Sequence, residues 1–124
     1  MPVNLFDPIT QGLSNALALH QQRHRVLASN VANVETPGFR AKDTDFTHAL
    51  QQAFDGTELT PDGRDAGNAL VLDDPSGPVR ADGNSVDIDL QMAKLAANSG
   101  RYNTLAKLLG KRFGLLRQAI DGVR

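Results

Sequence analysis

Residues 28–39 read Ala28-Ser29-Asn30-Val31-Ala32-Asn33-Val34-Glu35-Thr36-Pro37-Gly38-Phe39 and run directly into Arg40-Ala41-Lys42-Asp43. This stretch ends a long helical pattern with two asparagines and a Pro-Gly pair. Pro37 disfavours the helical region for Thr36, and Pro-Gly at the centre of a type II turn combines a fixed negative φ with a positive one. Asn30 and Asn33 are three apart, which places both amides on one helix face, free to meet each other and to bond backbone just before the break. The stretch therefore specifies a corner at the exit of a helix and carries no catalytic or ligand-binding group.

Upstream of the corner, steps of four and three from Phe6 reach Thr10, Leu13, Leu17, His20, His24, Leu27, Val31 and Val34. Most of these are apolar, and the heptad spacing predicts an N-terminal helix with a seam that is weakest at its two histidines. The last third of the chain carries a stronger pattern. From Ile88 the same steps reach Met92, Leu95, Ser99, Tyr102, Ala106, Leu109, Phe113, Leu116, Ile120 and Val123, with Ser99 the one polar member. Asp87 and Asp89 stand at its start and Lys107, Lys111, Arg112, Arg117 and Arg124 in its far half, the favourable signs for the two helix ends. A helix of this length reaches about 55 Å at 1.5 Å per residue, longer than any globule the chain can form. Gly100, Gly110 and Gly114 each cost about 1 kcal/mol relative to alanine. The C-terminal helix is thus expected to be poorly ordered in a free monomer and to take its stability from partner helices.

Residues 36–85 hold six Gly, four Pro and eight Asp. Phe46, Ala49, Leu50, Ala53 and Phe54 follow helical spacing, with Thr44 or Asp45 as N-cap and Gly56 as stop, so one short amphipathic helix is predicted. Beyond it only Ala69–Leu72 and Val79 offer strand material. A small hairpin in a loop-rich segment, or disorder, fits that composition.

Thirteen Lys and Arg against fourteen Asp and Glu name no nucleic-acid or membrane partner. The distribution is uneven: residues 36–85 carry four bases and nine acids, and residues 86–124 seven bases and three acids. The absence of cysteine excludes disulfides and thiolate metal sites. No apolar run approaches the roughly 20 residues of a membrane span, and Met1–Asp7 lacks the pattern of a cleaved secretory signal. Five Phe and one Tyr are few for a self-sufficient core.

Chemistry is scarce. His20 and His24 have the i, i+4 spacing of metal ligands, but no acid lies between them and Arg23 and Arg25 repel a cation, so they read as polar seam positions. Asp43/Asp45, Asp73/Asp74 and Asp87/Asp89 fall at helix starts or in loops, where capping and solvation are expected instead of paired acid–base work. Serine-nucleophile and phosphate-loop motifs are missing. The basic residues of the last helix are not interleaved with aromatics as in nucleic-acid grooves. They read as a solvated face or as a contact for an acidic neighbour.

Ser29, Asn30, Ala32, Asn33, Thr36, Pro37, Gly38 and Phe39 together resemble the motif shared by flagellar basal-body rod proteins. Asp43-Thr44-Asp45-Phe46, Gly83-Asn84-Ser85-Val86-Asp87-Ile88-Asp89 with Met92-Ala93, Asn98-Ser99-Gly100-Arg101-Tyr102 and Arg112–Ile120 are similar to the proximal-rod branch of that family. The likeness spans roughly residues 10–54 and 83–121. It departs at Gln91 and Ala97, where the family often has glutamate. The resemblance implies a structural, non-catalytic subunit without cofactor or metal, set in the torque-carrying rod of the basal body and exported by the flagellar type III apparatus. It implies as partners other copies of the chain, the neighbouring rod protein FlgC, the adaptor FliE with the MS ring, and the export gate.

The expected fold is mainly α: an N-terminal axial helix within 1–35, a turn, short helix and loop-rich middle in 36–85, and a C-terminal axial helix in 86–124, forming a coiled-coil-like bundle. Leu13, Leu17, Leu27 and Val31 are expected to pack against Met92, Leu95, Tyr102, Leu109, Phe113, Leu116 and Ile120 of the same or an adjacent subunit. The competing readings are a peptidoglycan-acting enzyme and a soluble coiled-coil adaptor.

Overall fold

A computed structural model describes residues 7–55 and 67–122. The expected seam positions Phe6 and Val123 and the expected helix stop Gly56 lie outside the described residues. Helix α1 spans Pro8–Ala32, strand β1 Lys42–Thr44, helix α2 Phe46–Phe54, strand β2 Val71–Asp73 and helix α3 Ile88–Asp121. The described residues are mainly helical, with long first and last helices and a short middle one, as the periodicity predicts.

Local chemistry sets the ends of the long helices. At the start of α1, the Asp7 carboxylate accepts from Thr10 N at 2.8 Å and Pro8 occupies the first turn, where its missing N–H costs nothing. The helix stops at Ala32, three residues before the expected end. There the Asn33 amide donates to Ser29 O at 2.8 Å and its oxygen accepts from the Thr36 hydroxyl at 3.1 Å. Asn33 thus terminates the helix locally, while Asn30 turns inward, and the two amides do not meet. The following turn closes with Phe39 N donating to Thr36 O at 3.2 Å, and Gly38 has φ +75°, the geometry expected of Thr-Pro-Gly-Phe. Asp87 caps α3 by accepting from Leu90 N at 3.2 Å.

α1 and α3 run antiparallel. Their register is set by Asn30 against Gln91, His20 against Asn98, and Asp7 with Thr10 against Arg112. α2 packs on another face of α1, where Leu19, Ala49, Ala53 and Ala69 form a small core flanked by Phe46 and Leu50. Gly12 allows this approach, because a Cβ there would fall 2.4 Å from the Phe54 ring. Strand β2 pairs antiparallel with β1, Leu72 opposite Asp43. The strand material near residue 70 therefore joins the segment after the corner and makes no hairpin with Val79. Three-residue strands carry too little alternation to announce their partner. Asp45 precedes α2 as expected, but its carboxylate accepts from Leu70 N at 2.8 Å, so it ties the helix to the incoming strand and leaves the first turn without a side-chain cap.

The heptad seam lies partly in solvent. On α1, Leu27 is buried and Leu13, Leu17 and Val31 are half-buried, whereas Ala16 and Leu19 are buried beneath α2. On α3 the two fully buried residues are Gln91 and Asn98. Leu95, Tyr102, Leu109 and Leu116 are half-buried, while Met92, Phe113 and Ile120 are exposed. Amides, more than leucines, face α1 at the centre of the contact.

At 34 residues α3 outlasts α1, and Arg112 already lies against Asp7 and Thr10. Residues 113–121 therefore extend past the described start of α1. In dilute protein their amides are expected to exchange with solvent much faster than those of residues 91–105, because an isolated helix end with Gly114 frays. Uniform protection along α3 in a hydrogen-exchange time course would contradict this.

Candidate assembly site at the corner between the long helices

Two turns meet back to back at the corner. Gly38 and Gly83 both have positive φ, +75° and +85°, and a Cβ on Gly83 would stand 3.4 Å from Gly38 Cα. Gly38 N donates to Asp82 O at 2.9 Å, and Gly83 N closes its own turn onto Arg80 O at 2.9 Å. L side chains disfavour such φ values, so the segment before α3 is shaped to receive the segment after α1.

Asn84 is the centre of the clamp. Fully buried, it donates from its amide nitrogen to Asn33 O at 2.9 Å, Val34 O at 3.1 Å and Thr36 O at 2.8 Å, and its oxygen accepts from Val86 N at 2.8 Å. These carbonyls belong to the turn that follows α1, where Asn33 O and Thr36 O also accept from Thr36 N at 3.0 Å and Phe39 N at 3.2 Å, so one side chain gathers a turn that the backbone already closes. Arg80 adds a guanidinium donor to Val34 O, Ser85 N donates to Phe39 O at 3.0 Å, and the Ser85 hydroxyl accepts from Ala41 N at 2.8 Å.

Asn30 completes the corner from the inside. It is fully buried, accepts from Lys42 N at 2.9 Å, donates to Lys42 O at 2.7 Å and donates to Gln91 Oε1 at 2.9 Å. By reading both backbone groups of one residue it takes the place of a neighbouring strand along β1. Gln22 does the same to Ala69, accepting from its N at 2.7 Å and donating to its O at 2.8 Å.

Charges fasten the same elements. Asp43 receives Arg23 through two bonds of 3.0 Å, and Lys94 bridges Asp43 at 3.4 Å and Asp74 at 2.6 Å. Burial alone would raise both carboxylates. For Asp43 the Arg23 bonds, the Thr44 N–H and Lys94 together outweigh it and lower the group; for Asp74, Lys94 and Ser76 bring it to about 2. Deeper in the α1–α3 contact, His20 and Asn98 exchange two bonds: the imidazole Nδ1 to Asn98 Oδ1 at 2.7 Å, and the Asn98 amide to His20 O at 2.9 Å. With the Asn98 oxygen as acceptor, Nδ1 carries the proton. The ring also packs on Phe46 at 4.5 Å between centroids. Burial lowers the His20 pKa, and Arg101 and Arg23 add to that, while the Asn98 bond opposes it.

These shifts fix the sign of the pH response. For His20 the folded value lies below the unfolded 6.5, so its contribution is complete above that pH and falls as the imidazole is forced to charge. The denaturation midpoint is expected to drop between pH 7.5 and about pH 5, with a smaller drop in His20→Gln; equal slopes in the two proteins would remove the assignment. A second loss is expected as pH falls from near 3.8 toward 2, where Asp43 and Asp74 protonate.

Other residues singled out in the sequence separate here. His24 is exposed while His20 Nδ1 is committed to Asn98, and no cluster of three or more His, Asp or Glu able to hold a metal exists among the described residues. Asp73 pairs with Lys42, Asp87 caps α3 and Asp89 lies in its first turn. Of the motif residues, Asn30 points inward and Asn33 and Phe39 are half-buried, whereas Ser29, Ala32, Thr36, Pro37 and Gly38 are exposed. Sequence reasoning left Arg80, Asn84, Gln22 and Asn98 without roles. A Gly-Asn pair just ahead of the Asp87 cap was the available signal for Asn84.

The arrangement holds the start of α3 rigidly on the end of α1 and leaves an outward patch of motif residues. Residues 12–40, which take in most of α1 and the turn after it, match the family model of flagella basal body rod proteins. The flagellar basal body rod protein FlgB of Cereibacter sphaeroides is 36% identical over 88% of this chain and 91% of its own length. The chain belongs to the FlgB family of flagellar basal-body rod proteins. FlgB of Escherichia coli strain K12 is 35% identical over 86% of the chain and 89% of its own length, and FlgB of Bacillus subtilis strain 168 is 28% identical over 97% and 98%. For a rod-family chain, a polar clamp between two long helices is a device that sets geometry.

Proposed function

We propose that this chain is a structural subunit of the proximal flagellar rod, with α1 and α3 as its axial pair and the corner as the element that fixes their exit angle. The observation that carries the reading is the clamp of Asn84 and Asn30 on the motif of the rod family. FlgC, FliE with the MS ring, and other copies of the chain are the proposed neighbours, reached after type III export. The rod carries motor torque, and a corner held by buried amides and paired turns suits a part that must not hinge under load. Ser29, Ala32, Thr36 and Pro37, exposed in the monomer, are the proposed outward contacts.

The decisive experiment is deletion of the gene, scored for swimming and for rods in isolated basal bodies. Loss of both is expected, and normal motility with intact rods would sink the proposal. A finer test uses Gly38. Nothing stands within 4 Å of a Cβ there, so a substitution acts through the backbone alone. Gly38→Val is expected to cost roughly 1–2 kcal/mol and to block rod formation while export continues, whereas Gly38→Asn, which tolerates positive φ, retains swimming. Failure of export in Gly38→Val with normal folding would assign the turn to secretion instead.

A further inference from the structure

The two-stranded sheet has two outer edges, and α1 closes one of them. Residues of an antiparallel pair turn their backbone groups alternately toward the partner strand and away from it. Asp45 N donates to Leu70 O and Asp74 N to Ala41 O, which fixes the phase. Residues 41, 43 and 45 face 74, 72 and 70, while residues 42, 44, 71 and 73 turn outward. Asn30 takes Lys42 N and O, and the Asp43 carboxylate accepts from Thr44 N at 2.8 Å. Ala69, which shares the phase of Val71, has both its groups held by Gln22. Val71 and Asp73 are left with no partner for N–H or C=O among the described residues. The side chains there are bare as well, Val71 at 45% and Leu72 at 51% exposed. Unpaired backbone beside apolar side chains is what a further strand covers.

We propose that the open edge of β2 pairs with the same edge of a second copy, antiparallel about a two-fold axis at Leu72. The register selects this occupant. With Val71 opposite Asp73 of the other copy, every open group is used, in four backbone bonds. Shifted so that Val71 meets its own duplicate, the ladder sets Asp73 against Ala69, whose groups Gln22 already holds. Shifted the other way, Asp73 meets Asp73 and Val71 meets Pro75, which has no N–H to give. The favoured register also places the two Leu72 side chains directly opposite each other. Each Asp73, paired with Lys42 of its own copy, then lies across from a valine. The contact closes on its axis and stops at a dimer. It uses neither long helix, so it goes beyond the rod assignment and does not rest on it. Three-residue strands cover little surface, which puts the pair in the weak class of interfaces, half-formed at about 0.1–1 mM.

The chain has no cysteine, so single-cysteine variants of the full chain report the register. In the proposed pair the two Leu72 Cα atoms stand about 4.5 Å apart, within disulfide reach, whereas the two Val71 are diagonal and too far. Under mild oxidation L72C is expected to cross-link about tenfold or more faster than V71C, or than T47C on the exposed face of α2. In sedimentation equilibrium, wild type is expected to shift from monomer to dimer as concentration rises. V71P removes an outward N–H without touching the ladder to β1 and is expected to stay monomeric. L72K and L72E are each expected to lose the dimer, and an equimolar mixture to regain it, because residue 72 faces its own duplicate. Unchanged circular dichroism shows that each variant is folded. Equal cross-linking of L72C and V71C, a wild type still monomeric at about 1 mM, or a mixture that fails to pair would overturn the inference. So would Val71 and Asp73 amides protected from exchange at every concentration, since the edge would then be covered within one copy.

Discussion

Asn84→Ala is expected to destabilise the protein by about 3 kcal/mol or more. Three carbonyls of the turn after α1, which share the two amide protons, and one amide N–H lose a buried partner, and each lost bond is worth roughly 0.5–1.5 kcal/mol. Against the roughly 5–15 kcal/mol that holds a small domain together, this is a large fraction, and a fall in melting temperature of more than about 10 °C is expected. Asn84→Asp should fare no better. The carboxylate keeps the acceptor for Val86 N but replaces a donor to three carbonyls with negative charge. Urea denaturation of both variants checks this, and a loss under about 1 kcal/mol would mean that water replaces the side chain and that the corner is not clamped as described.

Asn30→Ala is expected to cost about 2–3 kcal/mol, because Gln91 Oε1 loses a fully buried partner and Lys42 N and O lose a part-buried one. The pair Asn30 and Gln91 should also be coupled. In a double-mutant cycle with Gln91→Ala, an interaction of about 0.5–1.5 kcal/mol is expected for residues in direct contact. Additivity within about 0.3 kcal/mol would show that the two amides do not share a bond. The assembly consequence is separate from stability. Asn30 holds β1 and α3 to α1 at once, so its loss should also free the exit angle that the outward motif residues depend on.

The elements of this fold were legible where local chemistry decides them. The helical runs, the Asp87 start, the Thr-Pro-Gly-Phe turn with positive φ at Gly38 and the short helix at residues 46–54 follow from spacing and capping within a few residues. The candidate site was half legible. The Asn30–Gly38 stretch marked the corner, but the residues that clamp it arrive from about fifty positions later, and the spacing of one strand of sequence cannot say which distant amide reaches a given carbonyl. The seam shows the same limit. Heptad spacing identified a helix with an apolar stripe, yet α3 turns Gln91 and Asn98 toward α1 and leaves Met92, Phe113 and Ile120 outside.

By itself, then, the sequence determined the helices, their ends and the turn, since those depend on dihedral preference and neighbours in the chain. Tertiary structure alone decided which face of α3 meets α1, that β2 pairs with β1, and that Asn84 holds the end of α1. Each of these is a choice between surfaces of similar hydrophobic merit, and it is settled by buried amides that need their partners and leave little freedom in register.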